Sequence, residues 1–146
     1  MTPRELRREF ADHLRLELAD LGWVESVYPF DLFPDFESRA GHHLTYAIGV
    51  TQAVALPGNQ RRHNAMMTTV GVRWAYTIRP RQLLESYDEA LDREMEIVRA
   101  LAGIKDASGQ QPFAVQTIIR NIVEESQGGL FLGEIEGQVP HPVCLS

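Results

Sequence analysis

The chain has 146 residues, of which 44% are hydrophobic and 23% charged, and its formal net charge is −6 at pH 7. This length and balance are typical of one folded domain and exclude an intrinsically disordered protein. The acidic excess disfavours a dedicated DNA or RNA binder, because phosphate backbones are held mainly by clustered cations.

The sequence also limits where the protein is expected. No apolar run reaches the roughly 18–20 residues that a membrane span needs. The first ten residues, MTPRELRREF, carry charges where a secretion signal needs apolar residues. We therefore expect neither a membrane anchor nor export by that route. Cys144 is the one cysteine in the sequence, which excludes an internal disulfide.

The first helix has clear start and stop signals. Thr2 and Glu5 form a T-x-x-E capping box around Pro3, and Gly22 is placed to end the helix in a left-handed turn. The spacing between these limits predicts one apolar stripe that packs on the rest of the domain. Its residues recur every three or four positions: Leu6, Phe10, Leu14, Leu18 and Leu21.

The segment after this helix combines prolines with much apolar surface. A short extended piece is predicted at 24–28, followed by a loop at 29–41. Phe30, Phe33 and Phe36 lie in that loop. Either the loop folds back as a lid over the core, or a neighbouring chain buries these rings.

Two long runs of alternating hydrophobicity come next. The first covers 44–56, the second covers 69–78, and a polar connection joins them. Alternation with a period of two is typical of strands, so the pair predicts a long β-hairpin. Arg61, Arg62 and His63 form a dense cationic group at its tip.

The last part of the chain predicts a helix and a second hairpin. Ser86 and Glu89 match a second capping box, and Gly103 marks the end of that helix. Further strands are predicted at 113–123 and 130–135. The predicted inner stripe of the helix consists of four residues: Leu91, Met95, Val98 and Ala102.

The order of these elements predicts the fold class. Helix, short strand, hairpin, helix and hairpin together indicate an α+β fold with a single, mostly antiparallel sheet and two helices packed on one face. Residues 1–146 are expected to form one domain. The tail at 137–146 contains two prolines and is expected to be extended without forming a regular element.

The histidines give weak signals for a metal site. His42 and His43 are adjacent, so in a strand they point to opposite faces and cannot chelate one metal together. His141 and Cys144 have a spacing that zinc can use, but the sequence has no second pair with partner spacing. We therefore predict no metal site.

The second helix carries a row of carboxylates. Asp88, Asp92 and Glu96 are spaced at i, i+4 and i+8, and Arg93 and Arg99 partly offset them. Such a row is more typical of a solvated outer face than of a catalytic cleft. Motifs of a nucleophilic serine or cysteine and of phosphate-binding loops are missing from the sequence. No catalytic residue and no cofactor is predicted.

The sequence resembles the tail terminator proteins of long-tailed, lambda-like bacteriophages, a group with related head–tail joining and tail-completion proteins. The resemblance rests on element order across most of the chain and on no diagnostic motif. The segments that carry it are PRELRREFADHLRLELADLG, HHLTYAIGVTQAVAL, TTVGVRWAYTIRP, SYDEALDREMEIVRALAG, FAVQTIIRNIVEES and LFLGEIEG.

This resemblance implies a structural virion protein at the head-proximal end of the tail, assembled in the host cytoplasm. Such a protein forms a ring, expected to be a hexamer, that caps the tail tube and stops its polymerisation. The other side of the ring joins the connector, or neck protein, of the head, and DNA only passes through the channel. A neck connector or tail-completion adaptor is the alternative within this class.

The candidate functional residues are accordingly interface residues. The hairpin tip is expected to reach an adjacent subunit or the last ring of the tube. The loop aromatics are expected to fill a neighbour's groove, since aromatic residues concentrate at the buried centres of interfaces. A turn and local core packing remain open alternatives for the two groups. The candidates are Arg61, Arg62, His63, Phe30, Phe33 and Phe36.

A small enzyme or ligand-binding domain is the rival from a different class. It requires a pocket under the 29–41 loop with titratable groups of perturbed pKa. His42 or His43 beside Asp31 or Asp35 is the pairing that would supply them. A third possibility is an adaptor that dimerises by sheet pairing.

Overall fold

The structure, a computed structural model, describes residues 2–33, 43–55, 65–104, 113–125 and 128–142. These residues form two helices and one five-stranded mixed sheet that is mostly antiparallel. The predicted α+β fold with a single sheet is confirmed.

Helix α1 covers Pro3–Leu18, and a 3-10 turn leads from it to Gly22. The predicted capping box is present: the Glu5 N–H donates to the Thr2 hydroxyl at 3.1 Å, and the Thr2 N–H donates to the Glu5 carboxylate at 3.3 Å. Gly22 has φ 92°, in the left-handed region that glycine adopts without strain. The predicted stripe is buried as far as Leu18, whereas Leu21 is largely exposed because the 3-10 turn changes the angle between successive side chains.

The strands are β1 (Val24–Glu25), β2 (Thr45–Ala55), β3 (Ala65–Ile78), β4 (Ala114–Glu125) and β5 (Gly128–Pro142). Their order in the sheet is β1-β2-β3-β5-β4. β1 pairs parallel with β2, and all other neighbours pair antiparallel. β3 and β5 therefore form the centre, while β4 lies at one edge and β1 with β2 at the other.

Both helices pack on one face of this sheet, as predicted. Helix α2 covers Leu83–Ala102, and its buried side chains share a core with those of α1 and the strands. At the centre of this core, the fully buried Trp74 makes an edge-to-face contact with Trp23 at 5.9 Å and lies 5.0 Å from Phe131 between ring centroids. Burial of these large rings accounts for much of the hydrophobic stabilisation.

The predicted start of the second helix is wrong, and its predicted inner stripe is correct only in part: Leu91 and Val98 are partly buried and pack against the core. The helix begins at Leu83 after Gln82, and Ser86 lies inside it, where its hydroxyl accepts a hydrogen bond from the Arg79 N–H at 3.1 Å. The other two members of the predicted stripe, Met95 and Ala102, are exposed. The actual buried stripe is hard to recognise from apolar spacing, because two of its residues, Ser86 and Glu94, are polar. Its buried residues are Ser86, Ala90, Glu94, Ile97, Ala100 and Leu101.

Two strand boundaries also differ from the prediction. β1 stops at Glu25 instead of reaching residue 28, because the chain turns into a short 3-10 helix at Phe30–Leu32. β5 continues through Pro142, so this part of the predicted irregular tail belongs to the sheet. Pro140 is compatible with a strand because β4 pairs with β5 only up to Gln138, so beyond that residue one side of β5 has no strand neighbour among the described residues.

Candidate functional site

The segment at residues 29–33, called here the fold-back segment, lies on the face of the sheet opposite the helices. Phe33 is buried there beside Ala47, Ala75 and Leu130, and Phe30 is 6% exposed. Of the two alternatives raised from the sequence, the structure shows the fold-back for these two rings. Their packing partners belong to their own chain, so a contact with a neighbouring chain has to involve other atoms of this segment.

Two facing glycines make room for the Phe30 ring. Gly49 on β2 lies directly opposite Gly71 on β3. A Cβ atom at Gly49 would lie 2.5 Å from the ring, and one at Gly71 would lie 2.8 Å from it. The strands can accept the ring because both positions lack a side chain.

Arg73 fixes the same segment from the sheet. Its Nε donates to the Glu134 carboxylate at 2.7 Å, and its guanidinium donates to the Phe30 carbonyl at 2.7 Å. The guanidinium carbon lies 4.2 Å from the centroid of the Phe30 ring, which adds a cation–π contact. One side chain thus joins β3, β5 and the fold-back segment.

Cavities lie on both sides of the fold-back segment. One, of about 370 Å³, lies toward β4 and is lined by Asp31, Arg73, Ile119 and Glu134 among others. The second, of about 570 Å³, is lined by Ala47 to Gly49 of β2 and by residues of the segment that follows β1. Both are open clefts of a size that can accept part of another molecule.

Strand β4 is the most exposed strand of the sheet. It has 12 residues and pairs along one side with β5; among the described residues no strand pairs with its other side. Three of its large apolar side chains are between 39% and 51% exposed: Val115, Ile119 and Ile122. A long edge strand with apolar side chains offers both backbone hydrogen-bonding groups and apolar surface to another chain.

An ion pair between a buried carboxylate and a half-exposed arginine holds β4 against helix α2. Arg120 donates from Nε to Glu94 Oε1 at 2.9 Å and from its terminal nitrogen to Oε2 at 2.7 Å. Glu94 is only 3% exposed, and its carboxylate raises the pKa of Arg120. The bidentate geometry fixes the position of the edge strand relative to the helix layer.

The other edge of the sheet is partly covered. β1 pairs only with Thr45 and Tyr46 of β2, and the Ser26 N–H donates to the Tyr46 carbonyl at 2.7 Å. Past that point no strand among the described residues pairs with the outer side of β2. The stretch from Thr51 to Val54 is exposed.

A second polar cluster lies where β3 meets α2. The Tyr76 hydroxyl donates to Glu89 at 2.6 Å, and Arg79 donates to the same carboxylate at 3.1 Å. These two hydrogen bonds lower the pKa of Glu89. The His43 ring lies 4.6 Å from the Tyr76 ring between centroids, and its Nδ1 accepts a hydrogen bond from the Thr77 N–H at 3.0 Å.

Acid is expected to weaken the fold through His43. Burial first, and then the positive charges of Arg93 and Arg79, lower the pKa of His43 below its ordinary value, because each disfavours the protonated ring; the Glu89 carboxylate acts in the opposite direction. The unfolded chain therefore binds this proton more tightly, so the His43 contribution is complete above about pH 6.5 and is lost as the pH falls through the lowered folded-state pKa. Chemical denaturation at pH 7.5 and pH 5.5 measures the loss.

The control for this experiment is His43→Asn, whose side-chain oxygen can accept the same Thr77 hydrogen bond without titrating. The variant is expected to lose less stability than the wild-type protein over the same pH interval. Equal losses in the two proteins would contradict the role assigned to His43.

The structure separates the residues that the enzyme hypothesis would bring together. His43 lies beside Tyr76 on the helix side of the sheet, whereas Asp31 lines the cavity on the opposite face. His42 and Asp35 lie outside the described residues. Within the described part of the chain, no group of three or more histidine, cysteine, aspartate and glutamate side chains is placed to hold a metal ion.

Several predicted interface residues are not described by the structure. Arg61, Arg62 and His63, predicted at the hairpin tip, lie outside the described residues, as does Phe36. Their predicted roles stay predictions. On helix α2, Asp88 and Asp92 are exposed as predicted, while Glu96 is partly buried and accepts hydrogen bonds from Arg93 at 2.8 Å and from the Trp23 Nε1 at 3.4 Å.

Sequence reasoning missed the pairing of Glu94 with Arg120. The signal is present in the helix: Glu94 is four residues after Ala90 and three before Ile97, which places it on the buried stripe. A carboxylate at such a position needs a cationic partner, because an unpaired buried charge is costly. The sequence does not reveal which arginine supplies it.

No family of known proteins matches the sequence, and no curated protein matches it either. A solved structure with limited similarity is that of a protein from Akkermansia muciniphila, determined without its transmembrane region. The comparison covers 100% of this chain and 88% of that one, with 11% sequence identity and a TM-score of 0.40.

Neither helix in the described part of the chain combines the length and the apolar character needed to cross a bilayer.

Proposed function

We propose that this protein is a structural ring subunit of a long-tailed bacteriophage that caps the tail tube, stops its polymerisation and joins the tail to the head connector. The proposal combines the resemblance in element order with one structural observation: β4 is a long edge strand whose large apolar side chains are exposed. Monomeric proteins usually protect such edges with charges, prolines or covering segments.

A ring needs a subunit with two different complementary surfaces, because contacts between unlike surfaces close into rings when the rotation between copies fits. A terminator must also present one side that accepts the tube and another to which no tube subunit adds. The protein acts in this proposal through surface shape, with the domain as a rigid body.

The test is assembly with the tail tube protein of the same phage. The purified protein is expected to form a closed ring of about six copies and to shorten the tubes, with density at one tube end in electron micrographs. A matched pair of variants sharpens the result. Ile119→Lys on β4 is expected to abolish ring formation and capping, whereas Leu16→Lys, at an exposed apolar position on α1, is expected to leave both unchanged.

Protein that stays monomeric with and without tube protein, and leaves tube length unchanged, would contradict the proposal. A ring that binds the connector but not the tube would replace termination by head–tail joining.

A further inference from the structure

We infer that the ring contact is a continuation of the β-sheet, in which β4 of one copy pairs antiparallel with the outer side of β2 of the next. This inference rests on the proposed function, since it identifies the partner of β4 as a second copy of the same chain. It specifies which two surfaces meet and in which direction the strands run.

Strand direction supports this pairing. β2 and β3 are antiparallel, as are β3 and β5, and β5 and β4. Directions therefore alternate across the sheet, so β4 runs opposite to β2. When a second copy follows in the same orientation, its β2 continues the alternation and the joint is an ordinary antiparallel pair.

The outer side of β2 has room for a strand. β1 pairs with Thr45 and Tyr46 and then ends. The cavity of about 570 Å³ is lined both by Ala47 to Gly49 of β2 and by residues that follow β1, such as Val27 and Tyr28. The exposed part of β2 up to Val54 continues from this cavity. An incoming strand would thus be guided by β1 and the segment that follows it.

Exposed apolar side chains are present at both ends of the sheet. At the β4 end they are Val115, Ile119 and Ile122. At the other end Val24 is 61% exposed, Val27 is 91% exposed and Val54 is 44% exposed. By their registers, Ile119 and Val54 lie on the same face of the sheet, the one opposite the helices. Sheet continuation can therefore bring these two side chains together and remove apolar surface from water, which favours association.

Pairing of β4 with another β4 is the competing arrangement. It would use the β4 edge of both copies, leave the outer side of β2 past Tyr46 unpaired, and give a two-fold dimer instead of a ring. Pairing of β4 with β2 uses both edges and repeats from copy to copy. This arrangement allows a ring.

Two blocked variants test the inference, because lysines on a strand edge oppose pairing. The first carries Ile119→Lys and Ile122→Lys on β4, and the second carries Gln52→Lys and Val54→Lys on β2. All four positions are exposed, and circular dichroism checks that the variants fold. A control with Leu16→Lys and Leu84→Lys has the same added charge on the helices.

Native mass spectrometry measures the assemblies. Each blocked variant alone is expected to drop from ring mass to single-chain mass, while the control keeps the ring. An equimolar mixture is expected to form dimers containing one chain of each kind, because one chain retains a usable β2 edge and the other a usable β4 edge. Dimers of the β2-blocked variant alone, with no mixed dimers, would show β4–β4 pairing and overturn the inference.

Rings formed by both blocked variants would overturn the inference while leaving the proposed function in place. Wild-type protein that stays monomeric even with tube protein would count against both.

A cross-linking measurement does not depend on blocked assembly. Two single-cysteine variants are made in a Cys144→Ser background, Ile122→Cys on β4 and Ala53→Cys on β2. Ile122 lies opposite Phe131 and Ala53 lies opposite Thr68, so both cysteines face the helix side of the sheet in neighbouring copies. A short bis-maleimide is expected to join the two chains in a mixture. No product above that of an Ile122→Cys and Leu16→Cys control mixture would contradict the contact.

Discussion

Replacing Arg120 with alanine is expected to destabilise the domain by about 3 kcal/mol, because it leaves the buried Glu94 carboxylate without its cation. Glu94 is 3% exposed and loses both hydrogen bonds in this variant. The Arg120 side chain is itself 43% exposed, so water can reach part of the site, which keeps the expected loss at the lower end for a broken buried pair. Denaturant unfolding at pH 7.5 measures the change in free energy.

Two control variants identify the cause. Arg120→Leu combined with Glu94→Leu removes both charges and is expected to recover much of the lost stability, since a buried ion pair can be replaced by apolar residues of similar volume. Asp12→Ala removes a surface partner of Arg15, with side chains 71% and 60% exposed, and is expected to cause no measurable change. A double variant as unstable as Arg120→Ala would contradict the explanation by an uncompensated charge.

Replacing Gly133 with alanine is expected to cost about 3 kcal/mol or more, because the added methyl group would overlap the indole of Trp74. Gly133 lies opposite Trp74 in the register of β3 and β5. The indole is fully buried and packed by Trp23 and Phe131, so it cannot move aside without disturbing the core. Thermal and denaturant unfolding of the variant give the loss.

Gly103→Ala is the matched control for this substitution. Its φ is −82°, and the atoms nearest to an added Cβ lie 3.5 Å away, so little change in stability is expected. Combining Gly133→Ala with Trp74→Phe makes room where the indole nitrogen was. The cost of the pair is expected to be lower than the sum of the two single costs. Additive costs would show that Trp74 is not what excludes a side chain at position 133.

Much of the fold can be predicted from local patterns. The capping box at Thr2 and the left-handed turn at Gly22 are confirmed, because both depend on residues within one helical turn of each other. The long hairpin is likewise evident from its alternating runs. The predicted start of α2 is wrong, although Ser86 and Glu89 match a capping box. In the structure Ser86 accepts a hydrogen bond from Arg79, and Glu89 accepts hydrogen bonds from Tyr76 on β3 and from Arg79.

The candidate site was predicted much less well. Excess aromatic surface correctly marked the segment at Phe30 and Phe33 as needing cover, yet the cover consists of strands of the same chain. The exposed edge at β4 is not evident from its sequence, because apolar residues on both faces are equally typical of a central strand. Its position follows from β5 being inserted between β3 and β4.

The fold class, the first helix and the hairpins follow from the amino-acid sequence alone, since they arise from periodicity and capping among neighbouring residues. The strand order, the pairing of Glu94 with Arg120 across 26 positions, and the place of Phe30 over Gly49 and Gly71 are set by long-range packing and become evident only in the folded protein. A local pattern can show that a charge or ring will be buried and must be paired or covered, but several distant residues could serve as its partner. Chain topology selects among them.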